Sequence, residues 1–331
     1  MKKLVLLGAA HIHTPNFLRI LQGRSDFQVT GVWDHNFERA QEAAAQFNCQ
    51  ASTDLTEILE DKEALGAIIC SETKLHAELV ANAVKAGKHL FVEKPLGMQG
   101  DEALQMADMI SRAGLLFQTG YFMRGNPIYR FLKEHIALGT FGKITRMRLS
   151  NCHAGLFRGY FDTQWRWMAD PEQAGCGAFG DLGTHVLDLL LWFYGMPETV
   201  TAQINQVTGR FPGCDESGEA LLSYADGCIA SIAAAWVDWA DPMPFMLSGT
   251  EGYACIYNQQ FYVKSDKLSG ADGLMPWTQL PEALPHAFEL FLEALHGRQT
   301  ELLVTANEAA QRNVVMQAIY EAAAEKTWKS L

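Results

Sequence analysis

The sequence predicts an α/β protein with an N-terminal doubly wound parallel sheet and a C-terminal α+β domain built on a mostly antiparallel, open sheet. Up to residue 120, short apolar segments such as Leu4–Leu7 alternate with segments of helical period. Beyond residue 140, strand-like segments follow one another across short turns. The 331 residues are enough for about two domains, which we place at residues 1–122 and 123–331.

The strands of the first domain are expected to be apolar throughout, because helices cover both faces of a parallel sheet. They are expected at Leu4–Leu7, Phe27–Trp33, Ala67–Cys70, His89–Val92 and Leu115–Gly120. The helices, the first with Thr14 as its cap, are expected at Pro15–Gln22, Asn36–Phe47, Thr53–Glu60, Leu75–Ala86 and Asp101–Ala113. Right-handed crossovers then bring the carboxyl ends of the strands to one edge, where ligands bind.

The second half contains runs of strands that helices seldom interrupt, which indicates antiparallel pairing. Ala225-Asp226-Gly227 separates two such runs and is typical of a hairpin turn. The strands are expected at Ile144–Ser150, Thr199–Val207, Glu219–Ser223, Cys228–Trp236 and Phe245–Gly249. Helices are expected at Gly180–Tyr194, His286–His296 and Ala306–Glu325.

Composition excludes several classes of partner. The net charge is −12, from 26 Lys plus Arg against 38 Asp plus Glu, so no basic field exists to attract nucleic acid or a membrane surface. No apolar run has the ~18 residues needed to span a bilayer, and no signal peptide is evident. The seven cysteines are odd in number and form no C-x-x-C pair, which favours a reducing, cytoplasmic location.

The turn after the first strand reads Gly8-Ala9-Ala10-His11-Ile12-His13 and retains one glycine of the G-x-G-x-x-G dinucleotide fingerprint. Ala10 and His13 occupy the other two glycine positions. The following helix N-terminus is still suited to phosphate. His11 and His13 either donate hydrogen bonds to phosphate oxygens or are exposed turn residues. A histidine pair can also bind metal, but no further ligands are close in sequence, so no metal site is predicted.

Asp34 ends the second strand, 26 residues after Gly8. A carboxylate at this position accepts hydrogen bonds from the ribose hydroxyls of a dinucleotide and repels a 2′-phosphate, which favours NAD over NADP. Arg39, one turn further on, is a possible phosphate contact. The alternative is that Asp34 only caps the next helix.

Several motifs further along the chain resemble the glucose–fructose oxidoreductase and inositol 2-dehydrogenase (Gfo/Idh/MocA) family. Residues 86–95 read A-G-K-H-L-F-V-E-K-P, and 120–124 resemble the family's domain junction. Trp165-Arg166 precedes a G-x-G-x-x-x-D-x-G-x-H-x-x-D signature, which consists here of Gly175, Gly177, Asp181, Gly183, His185 and Asp188. The resemblance covers essentially the whole chain. It implies a Rossmann-type first domain and a homodimer or homotetramer.

The resemblance implies that Lys94, Asp181 and His185 are the catalytic residues and that the bond before Pro95 is cis. Lys94 follows a parallel strand and is able to stabilise a developing alkoxide. Asp181 and His185 are four residues apart, so on a helix they share a face, and the carboxylate raises the basicity of the imidazole. Asp188 is expected to be structural. The alternatives are a solvated loop lysine and a buried structural Asp–His pair.

The remaining site residues are assigned to cofactor or substrate. Aromatic rings and arginines commonly contact sugars, and the polar loop after residue 150 contains both. Ser71-Glu72-Thr73 departs from the family's usual Thr-Pro-Asn. The negative charge of Glu72 is unfavourable near the pyrophosphate or the nicotinamide ribose of the cofactor. The cofactor set is Gly8, Ala10, His11, Ile12, His13, Asp34, Arg39, Ser71, Thr73, His76, Glu93 and Lys94. The substrate set is Lys94, Tyr121, His153, Arg158, Trp165, Arg166, Asp181 and His185.

These residues predict an NAD(H)-dependent dehydrogenase acting on a secondary hydroxyl of a sugar, cyclitol or related polyol, or on the corresponding ketone. One alternative is a glycoside hydrolase or lyase that retains NAD and passes through a transient oxidation. The other is a non-catalytic NAD-binding regulator. Net release of NADH would favour the dehydrogenase, whereas turnover without net NADH would favour the first alternative. Inactivity against a panel of sugars would support the second alternative.

Overall fold

A computed structural model describes residues 1–331, which group into two compact units. Unit one consists of Met1–Tyr121, Asp162–Gly175 and Pro285–Val314. Unit two consists of Phe122–Phe161, Cys176–Leu284 and Val315–Leu331. The chain therefore passes repeatedly from one unit to the other, whereas the sequence analysis used a single boundary after residue 122, which stays a prediction.

Unit one contains a six-stranded parallel sheet in the order β3-β2-β1-β4-β5-β6. Its strands are β1 (Lys2–Leu7), β2 (Phe27–Trp33), β3 (Gln50–Ser52), β4 (Ala64–Ile69), β5 (His89–Val92) and β6 (Phe117–Thr119). The doubly wound parallel sheet predicted from sequence is confirmed. The strand β3 was missed because its three residues lack an apolar pattern.

The protein has ten α-helices, and the five predicted before residue 122 begin and end within two residues of the predicted positions. In chain order the ten α-helices are α1 (Thr14–Gln22), α2 (Phe37–Ala45), α3 (Leu55–Leu59), α4 (His76–Lys85), α5 (Gly100–Arg112), α6 (Pro127–Ala137), α7 (Pro171–Ala174), α8 (Ala178–Tyr194), α9 (Ala287–Leu295) and α10 (Ala306–Glu325). The sequence analysis missed α6 and the short α7.

Both faces of the parallel sheet are buried, as its apolar strands require. Val5 of β1 belongs to a cluster that includes Leu79 of α4. Leu4, its neighbour in the strand, points to the opposite face and joins Phe17 of α1 and Phe288 of α9. The late helix α9 therefore supplies core residues to a sheet that begins at residue 2.

Unit two contains an eight-stranded sheet in the order β13-β12-β11-β7-β10-β9-β8-β14. Its strands are β7 (Ile144–Cys152), β8 (Thr199–Asn205), β9 (Ser217–Ser223), β10 (Ile229–Ala235), β11 (Phe245–Gly249), β12 (Gly252–Tyr257), β13 (Gln260–Ser265) and β14 (Lys329–Ser330). All neighbours are antiparallel except β7 and β10. The predicted mostly antiparallel sheet is confirmed.

The two faces of this second sheet differ in exposure. Ala230 and Leu222, paired across β10 and β9, are buried, and α8 packs against these strands. On the opposite face Leu221 is 43% exposed, and Ile229, on the neighbouring strand, is 52% exposed. The unit therefore has one covered face and one face with exposed apolar side chains.

No helix in the protein is both long and apolar enough to cross a membrane.

Candidate functional site

The turn after β1 is tight and leaves no room for a side chain at its first residue. Gly8 has φ of +86°, and a Cβ there would lie 2.5 Å from Cβ of Ser71, at the end of β4. Glycine is the residue that adopts this backbone without strain. The strand order reverses between β1 and β4, which is the point where doubly wound sheets bind ligands.

The turn leads into the N-terminus of α1, which is open to an anion. The N-cap is His13, not Thr14 as predicted, and its side chain makes no capping hydrogen bond. Pro15 lies in the first turn, and that turn has no acidic residue. No acidic side chain of the helix itself therefore compensates the dipole at this end, which fits a pyrophosphate. The carbonyl of Ala10 accepts a hydrogen bond of 3.1 Å from Nε1 of Trp167.

Asp34 is completely buried, and both of its oxygens are occupied by protein donors. Oδ2 accepts from the backbone N–H of Ala9 at 2.9 Å and from Nε of Arg39 at 2.7 Å. Oδ1 accepts from the backbone N–H of Asn36 at 2.9 Å and from a terminal nitrogen of Arg39 at 2.7 Å. A ribose hydroxyl would therefore have to replace one of these donors, and the arginine side chain is the one able to move.

Glu72 is the second carboxylate on Arg39. One guanidinium nitrogen of Arg39 lies 3.0 Å from Oε1 of Glu72, and Glu72 is 3% exposed. The arginine thus offsets the charge that made Glu72 awkward at the sequence level. Its neighbours Ser71 and Thr73 are buried, and the Ser71 hydroxyl donates to the carbonyl of Glu72 at 3.1 Å.

The Glu93-Lys94-Pro95 segment follows β5 at the same edge of the sheet. The peptide bond between Lys94 and Pro95 is cis, as the resemblance implied. Glu93 is fully buried and Lys94 is 3% exposed. His76 orients the segment, because its Nδ1 lies 3.1 Å from the carbonyl of Pro95 and 3.2 Å from that of Leu96.

Burial and neighbouring charges shift the pKa values of Glu93 and His76. Burial alone raises the pKa of Glu93, but the charges of His11, His13 and Lys94 and a hydrogen bond from His13 outweigh it and hold the pKa well below the ordinary value. Burial lowers the pKa of His76, although the carbonyls that it contacts oppose this. Glu93 is therefore ionised and His76 neutral near pH 7.

In unit two, Asp181 and His185 both lie on α8, as predicted. Oδ2 of Asp181 accepts a hydrogen bond of 3.2 Å from Nε1 of Trp236. His185 is 4% exposed, and its ring centroid lies 5.1 Å from that of Phe122. His153 is half-buried, and burial lowers its pKa, whereas the Asp181 charge acts in the opposite direction.

The N-terminus of α8 is held by a half-buried carboxylate that the sequence analysis missed. Asp215 accepts hydrogen bonds from the backbone N–H of Gly177 at 2.9 Å, that of Phe179 at 2.7 Å and the Tyr320 hydroxyl at 2.8 Å. A Cβ on Gly177 would lie 2.4 Å from the Asp215 carbonyl oxygen. Burial raises the pKa of Asp215, although these three donors oppose it.

Asp188, at the end of the signature, has the structural role that was expected. Its oxygens accept hydrogen bonds of 2.9 and 2.6 Å from two nitrogens of Arg124, and it is fully buried. The Arg124 guanidinium also lies over the ring of Trp192, 5.5 Å from the centroid. These contacts explain the arginine of the junction motif.

The predicted site residues divide between the two units. Unit one contains the whole cofactor set, together with Tyr121, Trp165 and Arg166, and unit two contains His153, Arg158, Asp181 and His185. Tyr121 is buried, Trp165 is half-buried, and Arg166 and Arg158 are exposed. Trp167, which contacts the glycine turn, was missed. Its signal was the W-R-W sequence, in which a second tryptophan follows the two residues that were chosen.

The family assignment agrees with these features. Residues 2–121 match the model of the oxidoreductase family with an NAD-binding Rossmann fold (GFO_IDH_MocA), and residues 129–255 match the GFO/IDH/MocA C-terminal domain. The chain belongs to the Gfo/Idh/MocA family, and the resemblance found in the sequence is confirmed.

Curated relatives include named dehydrogenases. Levoglucosan dehydrogenase of Pseudarthrobacter phenanthrenivorans is 27% identical over 273 residues, which are 72% of this chain and 66% of that protein. D-glucoside 3-dehydrogenase of Escherichia coli is 25% identical, over 70% of this chain and 66% of that protein. The NAD⁺-dependent scyllo-inositol 2-dehydrogenase of Bacillus subtilis is 27% identical, over 60% and 53%. The matches thus span about half to two thirds of these relatives.

Solved structures share the fold over the full length. Levoglucosan dehydrogenase in complex with NADH and levoglucosan has a TM-score of 0.81 at 21% identity, covering 99% of this chain and 98% of that chain. The WlbA dehydrogenase from Bordetella pertussis, in complex with NADH and UDP-GlcNAcA, has a TM-score of 0.82 at 20% identity with the same coverage.

Proposed function

We propose that this protein is an NAD-dependent dehydrogenase that oxidises a secondary hydroxyl of a sugar, cyclitol or related polyol, or reduces the corresponding ketone. The observation that carries the proposal is the buried lysine, Lys94, at the ligand edge of a sheet of the NAD-binding family. Relatives named as dehydrogenases of levoglucosan, glucosides and inositol support this substrate class.

Unit one would hold the cofactor through its backbone. The glycine turn and the N-terminus of α1 suit the pyrophosphate, and Asp34 suits the ribose hydroxyls once Arg39 moves aside. Ser71, Thr73 and Glu93 border the same strand ends. A bound NAD supplies the hydride acceptor at its nicotinamide C4. The carboxylate at Asp34 makes NADP the weaker ligand.

We assign the proton transfer to this chain's own residues. His185 accepts the proton of the substrate hydroxyl on a ring nitrogen, and Asp181 stabilises the imidazolium that results. Lys94 is assigned to stabilise the alkoxide as the carbon loses hydride. The sugar contacts are assigned to Tyr121, His153, Arg158, Trp165 and Arg166.

A spectrophotometric screen of sugars and cyclitols with NAD⁺ and NADP⁺ in parallel tests the activity. On the best substrate, Lys94→Met and His185→Ala are each expected to lower turnover by about 10²- to 10⁴-fold, and NAD⁺ binding is measured separately because Lys94 also belongs to the cofactor set. Lys74→Met, which changes an exposed lysine of unit one, is the control. Normal turnover in both site variants would contradict the assignment, and turnover without net NADH would favour the NAD-retaining alternative.

The assembly and location are also proposals. The apolar residues on the exposed face of the second sheet support a homodimer or homotetramer. All seven cysteines are free thiols, which supports a reducing, cytoplasmic setting.

A further inference from the structure

Glu72, whose charge the sequence analysis found unfavourable near the cofactor, shares an arginine with Asp34. Asp34 comes directly after β2 and Glu72 follows β4, and these two strands are the neighbours of β1 in the sheet. The same terminal nitrogen of Arg39 lies 2.7 Å from Oδ1 of Asp34 and 3.0 Å from Oε1 of Glu72. One cation therefore joins two carboxylates at the ligand edge of the sheet.

We propose that Glu72 is a residue that determines cofactor specificity, because it withholds Arg39 from the 2′-phosphate of NADP. This inference rests on the proposed NAD site in unit one. In dinucleotide-binding sheets, an arginine near the conserved carboxylate of the second strand is the group that accommodates this phosphate. Arg39 is close enough to Asp34 for that task, but both carboxylates already occupy it.

Burial makes the contact between Arg39 and Glu72 costly to break. Glu72 is 3% exposed, and its second oxygen, Oε2, is buried and has no hydrogen-bond partner. The ring nitrogens of the half-exposed His35 lie 3.6 Å from Oδ1 of Asp34 and 3.7 Å from Oε1 of Glu72, beyond hydrogen-bond distance. A buried carboxylate that loses its cation is strongly destabilised, so Glu72 competes with a phosphate for Arg39.

The two cofactors therefore make different demands on Arg39. A ribose hydroxyl of NAD needs a position on Asp34, and Arg39 is able to release Asp34 while its contact with Glu72 persists. The 2′-phosphate of NADP needs the guanidinium itself, and it would also lie close to the negative charges of Asp34 and Glu72. Asp34 repels the phosphate, whereas Glu72 in addition occupies the arginine that would attract it.

Fluorescence titration of the full-length protein with NAD⁺ and with NADP⁺, in the absence of substrate, tests this role. Glu72→Gln keeps the shape of the side chain, removes its charge and frees Arg39. We expect the NADP⁺ dissociation constant to fall by about 10-fold, which is the worth of one charged hydrogen bond, and that of NAD⁺ to change by less than about 3-fold. Glu72→Ala is expected to shift the ratio in the same direction. Adding Arg39→Met to Glu72→Gln is expected to abolish the gain in NADP⁺ affinity.

The matched control is Glu38→Gln, which removes the negative charge of the residue before Arg39 at an exposed position in the first turn of α2. It is expected to leave the ratio of the two affinities unchanged. Circular dichroism establishes that each variant is folded. An unchanged ratio in Glu72→Gln and Glu72→Ala, or an equal loss of affinity for both cofactors, overturns the inference while the proposed NAD site stands. A wild type that binds neither cofactor overturns the proposed function as well.

Discussion

At the scale of single residues, Arg39 controls what Asp34 is able to accept. The arginine occupies one hydrogen-bonding position on each oxygen of Asp34 and also contacts Glu72. If Arg39 leaves Asp34, its guanidinium is still able to form the salt bridge to Glu72. If Asp34 binds the cofactor ribose as proposed, cofactor binding exchanges donors on a buried carboxylate rather than filling a free one.

Removing the carboxylate is expected to weaken NAD⁺ binding and to reduce the preference over NADP⁺. For Asp34→Ala, we expect the NAD⁺ dissociation constant to rise by about 10-fold or more, since a charged hydrogen bond is worth about 1.5–3 kcal/mol. NADP⁺ binding is expected to weaken less, because the repulsion between the Asp34 carboxylate and the 2′-phosphate of NADP⁺ disappears as well. Fluorescence titration of both cofactors measures this. An unchanged ratio of the two affinities would contradict the ribose assignment.

Glu93 is expected to make the stability depend on pH in the acid range. Its pKa is held well below the usual 4.5 in the folded protein, so the stabilisation is present above that value. It is lost as the pH falls through the folded-state pKa. Urea unfolding between pH 6 and 3 is expected to show a smaller decline for Glu93→Gln than for the wild type. Glu63→Gln, at an exposed glutamate, is expected to follow the wild type more closely.

The residues that sequence alone identified are those with a local signal. Lys94, His185 and Asp34 were proposed as site residues from a motif, a helical spacing and the end of a strand. Asp215 and Trp167 were missed because their partners, Gly177 and Ala10, are far away in sequence. Nothing in the local pattern around Asp215 indicates that it binds a helix N-terminus.

At the scale of elements, α8 depends on support from outside its own sequence. Its N-cap, Gly177, has no side chain to offer, and Asp215 and Tyr320 serve the first backbone N–H groups instead. This arrangement leaves the first turn of the helix, which contains Asp181, well fixed.

Loss of Asp215 is expected to destabilise unit two. Asp215→Ala leaves two backbone donors and the Tyr320 hydroxyl without their acceptor, and we expect a loss of about 2–4 kcal/mol in the free energy of unfolding. Tyr320→Phe is expected to cost about 1 kcal/mol. Urea unfolding measures both. Glu42→Ala, an exposed change in α2, is expected to stay within about 0.5 kcal/mol. Equal stability of Asp215→Ala and the wild type would refute this role.

Element prediction succeeded where periodicity was strong and failed where it was short. The ranges of β2, β5, β11 and α10 agree with the prediction at both ends. β3 has only three residues, and α6 begins just after residues 120–124, which were assigned to the family's domain junction, so this segment was not examined as a helix. In β12, buried Ala254 and Ile256 alternate with exposed Tyr253 and Tyr257, which is a strand pattern that the sequence analysis did not use.

At the scale of the whole molecule, the exposed face of the second sheet is the basis for the proposed oligomer. Leu221→Glu places a charge on that face and is expected to shift the protein toward monomer in light scattering. Leu138→Glu alters another exposed leucine, 66% exposed at the end of α6, and is expected to leave the mass unchanged. A wild type that is monomeric at micromolar concentration would contradict the proposed assembly.

The contribution of α9 to the first sheet affects how the protein is made. Phe288, Phe291 and Leu292 pack into the core that also contains Leu4 and Leu6. During synthesis, the first six strands leave the ribosome long before these side chains exist, so one face of the nascent sheet lacks part of its cover. Unit one therefore completes its folding only when residues 285–314 emerge, and a fragment that stops at residue 122 would expose the same apolar face.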